Sequence, residues 1–128
     1  MLAYWSDLQS SHSREIDTSL HALDLIGELI SSLATPAMVE FRDDSVGLAF
    51  GYAVGRERTV LTFQHTKEPP YYISLGNPKE TGVEWFCYGQ QYSEYMCRNL
   101  IEHSSAQRAL KEFVNAQELP ASVKWESL

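Results

Sequence analysis

Apolar and polar positions recur along this chain with two different periods. Across residues 18–33, Leu20, Leu23, Ile26, Gly27, Ile30 and Leu33 return at three- and four-residue steps, the spacing of one helix face. Leu25 and Leu29 widen that face, so the spacing predicts a well-buried helix. Asp17 or Thr18 supplies a capping oxygen for its first turn. "ATP" ends it, because a proline ring disfavours helical geometry at the residue before it. A second stripe, Ala106, Ala109, Leu110, Phe113 and Val114, predicts a helix over "SSAQRALKEFVNAQ", capped by Ser104 or Ser105.

Between the two helices the period drops to two, the signature of strands. In "AMVEFRD", Val39 and Phe41 oppose Met38, Glu40 and Arg42. In "VGLAFGYAVG", Leu48, Phe50, Tyr52 and Val54 oppose Ala49, Gly51 and Ala53. "TVLTFQH" sets Leu61 and Phe63 against Val60, Thr62 and Gln64. The loop "KEPP" leads to "YYISLG", and the turn "NPKETG" leads to "VEWFCYG". Five consecutive strands with short turns predict an antiparallel meander. "MLAYWSD" reads as an opening strand, and "SVKWESL" as a closing one with Val123 and Trp125 on one side.

The order of elements predicts an α+β fold. A mainly antiparallel sheet of about five to seven strands carries both helices on one face. The other face stays partly uncovered. Alternation assigns it Glu40, Arg42, Thr62, Gln64, Tyr72, Ser74, Glu84, Phe86 and Tyr88. The chain has 128 residues, which fits a single domain over 1–128.

Composition narrows the function classes. Net charge is −7, from 17 acids against 10 bases. Direct nucleic-acid binding normally needs a basic stripe for the phosphates, so the balance argues against it and against anionic membranes. It suits a basic partner, and it equally suits an ordinary soluble protein. The best apolar run, "LDLIGELISSLA", is interrupted by Asp24 and Glu28 and falls short of the roughly 20 residues of a membrane span. The opening segment has no signal-peptide pattern, which makes the cytoplasm the expected location. Cys87 and Cys97 form no disulfide framework.

Candidate chemistry is sparse. His12, His21, His65 and His103 stand in no zinc-binding spacing, so neither a metal nor a cofactor is expected. Cys87 lies between aromatics in a predicted strand, where a thiol stays neutral. There is no strand–turn–helix nucleophile motif and no phosphate-binding glycine loop. His65, at a strand end, is the best single candidate for an active group if it has a carboxylate nearby. The stretch "VEWFCYGQQYSEYMC" concentrates aromatic and acidic residues. Tyr92 and Tyr95 either dock a partner or plug the sheet edge; tyrosine suits both, with a large ring and a hydroxyl.

"LTFQ", "PPYYISLGNP", "VEWFCYGQQYSEY" and "ALKEFVNAQELPASVKW" occur in that order. Together they resemble the family 1 immunity proteins of bacterial polymorphic toxin systems. The resemblance covers about residues 47–126. Its best match is the end, where a helix with "EF" is followed by Pro120 and a strand closing on Val123 and Trp125. Tyr88-Gly89 with Tyr92 three residues on comes next. Many members carry a phenylalanine–proline pair where this chain has Tyr95-Met96.

The resemblance implies a non-catalytic cytoplasmic antidote, with Trp125 packing the core. Its partner would be a cognate toxin domain that acts on nucleic acid. A cytidine deaminase of the double-stranded-DNA type comes first and a nuclease second. Expected exposure and the acid–aromatic mix nominate Glu40, Arg42, Asp43, Asp44, Gln64, Tyr72, Glu84, Tyr92, Glu94 and Tyr95 as the toxin-binding residues. A small enzyme built around His65 and an adaptor that binds a peptide along a sheet edge are the alternatives.

Overall fold

The computed structural model describes residues 1–66 and 68–128; Lys67, in the predicted "KEPP" loop, lies outside the described residues. The chain opens with a hairpin, β1 (Leu2–Ser6) and β2 (Ser11–Glu15), and enters helix α1 (Ser19–Ser32). Strands β3 (Ala37–Asp43), β4 (Leu48–Val54), β5 (Arg58–Thr59), β6 (Leu61–His65), β7 (Tyr71–Ser74), β8 (Val83–Tyr88) and β9 (Gln91–Met96) follow. A 3-10 turn (Cys97–Asn99), β10 (Ile101–Glu102), helix α2 (His103–Ala116) and β11 (Trp125–Ser127) complete the order. The fold is α+β, as the alternation predicted.

Nine strands form the main sheet among the described residues, in the order β11-β7-β6-β4-β3-β1-β2, with β8 attached to β3 and β9 to β8. The meander therefore holds through β3, β4, β6 and β7 and then breaks. β8 crosses to the far side of β3, meets it in parallel at Ala37↔Cys87, and turns back as β9. The sequence reading missed β2 and β9. "SHSRE" has no apolar member and "QYSEYM" has no clean alternation; each is held in place by its hairpin partner.

Both helices cover one face of the sheet. The core there joins Val39, Phe41, Phe50, Tyr52, Leu61 and Phe63 to Leu25, Ile26 and Leu29 of α1 and Ala109, Leu110 and Phe113 of α2. Phe50 stacks on Phe113 with centroids 5.0 Å apart. Trp125 sits edge-on to Phe50 and Phe63 at 6.4 and 6.5 Å, and its indole N–H donates to the Pro120 carbonyl at 2.8 Å.

Of the two expected caps, Thr18 serves α1 by accepting from the His21 amide. Two other helix details differ from expectation. The buried face of α1 is Ala22, Leu25, Ile26 and Leu29, while Leu20 and Ile30 stay 66% and 44% exposed. Apolar residues girdle most of this helix, so periodicity alone could not choose the seam that meets α2 and the sheet. α2 starts at His103, one residue ahead of the predicted serine caps, after Glu102.

The helix-free face carries a second, smaller core. Met38, Ala53, Val60 and Ile73 of the sheet meet Phe86 and Leu100, with Tyr95 and Cys97 packed alongside. The β8–β9 hairpin thus folds over part of that face. Phe86 and Ser74, both expected there as exposed residues, are fully buried. The Ser74 hydroxyl donates to the Asn99 carbonyl and accepts from the Leu61 amide, which ties the 97–100 segment to the sheet.

Candidate partner-binding face

Strand register decides which residues share the uncovered part of the sheet. Directly opposed partners run Glu15, Leu2, Arg42, Ala49, Gln64 and Tyr71 across β2, β1, β3, β4, β6 and β7. A neighbouring row runs Ser13, Tyr4, Glu40, Gly51, Thr62 and Ile73. Opposed residues point to the same side of a sheet. Glu40, Arg42 and Gln64 therefore lie on the helix-free face, where the sequence placed them. Tyr72 does not: it opposes Phe63 and packs against the helix-side core. The loop between β6 and β7 shifts the phase by one residue, which puts Tyr71 on the open face instead.

The polar groups of this face are interlocked. The Tyr88 hydroxyl donates to Glu40 Oε2 at 2.6 Å, and Arg42 Nη1 lies 3.5 Å from Glu40 Oε1. Arg42 also reaches Asp44 at 3.7 Å. Burial, reinforced by the Glu40 carboxylate, pushes the Tyr88 hydroxyl above the ordinary tyrosine range, so it stays a donor at neutral pH. A cleft of about 280 Å³ opens here, lined by Tyr4, Trp5, Met38, Glu40, Arg42 and Tyr88 among others. Aromatic walls with one carboxylate and one guanidinium can accept a side chain from another molecule.

Beside this face stands the β8–β9 hairpin. Its tight turn uses Gly89 and Gln90, both with positive φ (58° and 64°), as a two-residue hairpin connection demands. Glu84, Phe86 and Tyr88 point in toward the sheet. Phe86 is core, and Glu84 pairs with Arg56 at 3.3 Å. Val83, Trp85, Tyr92, Glu94 and Met96 share the outer side, by the register Val83↔Met96, Trp85↔Glu94 and Cys87↔Tyr92.

The question posed by the two tyrosines resolves into one answer each. Tyr95 plugs: its ring packs edge-on against Phe86 at 5.8 Å. Tyr92 is 62% exposed, resting against Trp85. Asp43 is also engaged internally. It accepts from the Ser45 hydroxyl and amide and from the Gln117 side chain, and these bonds hold its carboxyl below the usual range.

The nominated residues thus divide. Glu40, Arg42, Asp44 and Gln64 gather on or beside the open face, and Tyr92 and Glu94 on the outer hairpin. Asp43, Tyr72, Glu84 and Tyr95 hold the fold together. Sequence reasoning missed Tyr4, Tyr71, Trp85 and Met96 as exposed or half-exposed members. Only the strand pairing reveals them.

His65 is exposed at the end of β6, edge-on to Phe63, and pairs with no carboxylate among the described residues. His103 is tied up between the Tyr52 hydroxyl at Nδ1 (2.8 Å) and the Arg56 carbonyl at Nε2 (2.9 Å). The carbonyl can only accept, so Nε2 carries the proton and Nδ1 accepts from tyrosine. Cys87 is a buried free thiol and Cys97 a half-buried one. Among the described residues no cluster of three or more His, Cys, Asp or Glu is placed to hold a metal ion.

The family model described as immunity protein Imm1 matches residues 9–127. The chain belongs to this family of immunity proteins. The match extends past the motif-bearing region to take in β2 and α1. No curated protein matches the chain in sequence. Membership implies a cognate toxin as partner, and hence a surface built to meet one. Among the described residues no helix is long and apolar enough to cross a membrane.

Proposed function

We propose that the chain acts in the cytoplasm as an antidote, a single domain that seats itself on a cognate toxin domain and blocks it without chemistry of its own. The observation that carries this reading is the open, helix-free face. Its Tyr4, Glu40, Arg42, Gln64 and Tyr71 line up across adjacent strands, and the exposed hairpin stands beside them. An acid–aromatic surface on a chain of net charge −7 complements a basic groove. Toxins that act on nucleic acid need such a groove for phosphates. A cytidine deaminase of the double-stranded-DNA type is the first candidate and a nuclease the second.

The contact set that the geometry favours is Glu40, Arg42, Asp44, Gln64, Tyr92 and Glu94. A standard interface buries roughly 800 Å² on each partner, and nanomolar or tighter binding is expected of an effective antidote. The test is growth rescue of cells that express the toxin domain encoded beside this chain's gene. The unaltered protein rescues, and Asp44→Lys combined with Tyr92→Ala weakens binding at least about tenfold, near 1.4 kcal/mol. Rescue by the double variant at unchanged affinity would move the contact face elsewhere. Failure of the unaltered protein would remove the antidote reading.

A further inference from the structure

The edges of the sheet differ in how they end. β11 has three residues and pairs only with β7. β2 carries a row of polar side chains and pairs only with β1. β9 has six residues and pairs only with β8.

The hydrogen-bond phase of β9 is fixed at both ends. The Cys97 amide donates to the Gly82 carbonyl, so residues 82 and 97 are a hydrogen-bonded pair. Such pairs alternate along an antiparallel ladder. It follows that Gln91, Ser93 and Tyr95 spend their backbone groups on β8, while Tyr92, Glu94 and Met96 aim theirs away from it. The opposite edge of β8 obeys the same phase and is met at two positions: the Cys87 amide donates to the Pro36 carbonyl, and Arg56 Nε donates to the Trp85 carbonyl. On β9 no backbone or side-chain partner meets the groups of Tyr92, Glu94 or Met96 among the described residues.

Natural sheets blunt such edges with lysine, proline, a bulge or a covering loop. β9, "QYSEYM", has no lysine and no proline, and its register with β8 runs unbroken from Val83↔Met96 to Tyr88↔Gln91. Its outer side is sticky as well as bare. Val83, Tyr92 and Met96 are 55%, 62% and 58% exposed, and Trp85 lies between them. One charge sits among them, Glu94, which pairs with no base among the described residues; the nearby Arg56 is committed to Glu84.

We propose that β9 is the docking edge, where an extended basic segment of the toxin adds to the sheet as one more strand and sets a lysine or arginine against Glu94. This rests on the antidote reading for the identity of the occupant. Charge selects it over a second copy of this chain. The two-fold register with fullest overlap would set Glu94 directly against Glu94, which is destabilising, between two chains of net charge −7. Strand addition draws affinity from main-chain hydrogen bonds and specificity from alternate side chains.

The probe is the toxin domain encoded beside this chain's gene, in a catalytically inactivated form, with binding followed by calorimetry and amide hydrogen exchange. Glu94→Pro removes an N–H that faces away from β8, where an edge strand tolerates proline. It is expected to lose at least a hundredfold in affinity, and Glu94→Lys at least tenfold. In the unaltered complex the amides of Tyr92, Glu94 and Met96 become protected from exchange. Should Glu94→Pro fail to fold, the exchange pattern and Glu94→Lys decide. If the unaltered protein binds and those three amides stay unprotected, the edge proposal is overturned while the antidote reading stands. No binding by the unaltered protein overturns both. Concentration-dependent dimers that protect the same amides without toxin overturn the choice of occupant.

Discussion

Tyr92 and Tyr95 are three residues apart in one strand and have opposite duties. Tyr95 faces inward against Phe86, and burial pushes its hydroxyl up to about 12. Tyr92 faces outward on Trp85. Truncating a partly buried aromatic removes transfer energy and leaves a gap against its neighbours. Tyr95→Ala should therefore cost about 2–4 kcal/mol of stability in urea unfolding. Tyr92→Ala should stay within about 0.5 kcal/mol of the unaltered protein and show its effect in toxin affinity instead. A larger stability loss for Tyr92→Ala than for Tyr95→Ala would mean that the inward and outward sides of β9 are reversed. Trp125 is another residue whose role is local and clear: its ring closes the space between Phe50 and Phe63 while its N–H meets Pro120.

At the scale of elements, β4 turns its small side chains, Ala49, Gly51 and Ala53, to the helix-free face, between the larger ones of β3 and β6. A Cβ at Gly51 would lie 2.2 Å from Thr62 Oγ1 and 2.9 Å from Met38 Sδ. Gly51→Ala should cost about 1–3 kcal/mol by overpacking, read as a lowered thermal midpoint; an unchanged midpoint would mean that this face has slack. Much of the fold was legible in the sequence, since both helices and the meander β3-β4-β6-β7 follow from period alone. What stayed hidden depended on pairing. The phase of β7 changes across a loop, so Tyr71 and Tyr72 exchange faces. β9 has no apolar alternation to announce it. The buried seam of α1 cannot be chosen among leucines that nearly encircle the helix. On the open face itself, legibility followed unbroken strand patterns, at Glu40, Arg42, Thr62 and Gln64.

For the molecule as a whole, a few titrating groups set how stability varies with pH. Glu126 accepts from Asn99 and Arg98, Glu80 from Arg58, and Glu28 from Arg14; each partner holds the carboxyl below its ordinary range. Groups with lowered folded values stabilise the protein above the unfolded carboxylate range, about pH 4, and lose that contribution as pH falls through the folded values. Tyr95, raised to about 12 by burial, acts in the other direction: its share is full below about pH 10 and fades as pH climbs toward its folded value. A urea midpoint followed against pH should fall off on both flanks, and a midpoint still rising below about pH 4 would contradict the assignment. The central claim is that this acidic molecule silences its toxin by occupying it. The most direct measurement is a titration of the neighbouring toxin domain's activity with the purified protein. Inhibition that grows in proportion to the protein added and ends at a fixed molar ratio is the result expected of occlusion; one molecule disabling many toxins, or none at any ratio, would contradict it.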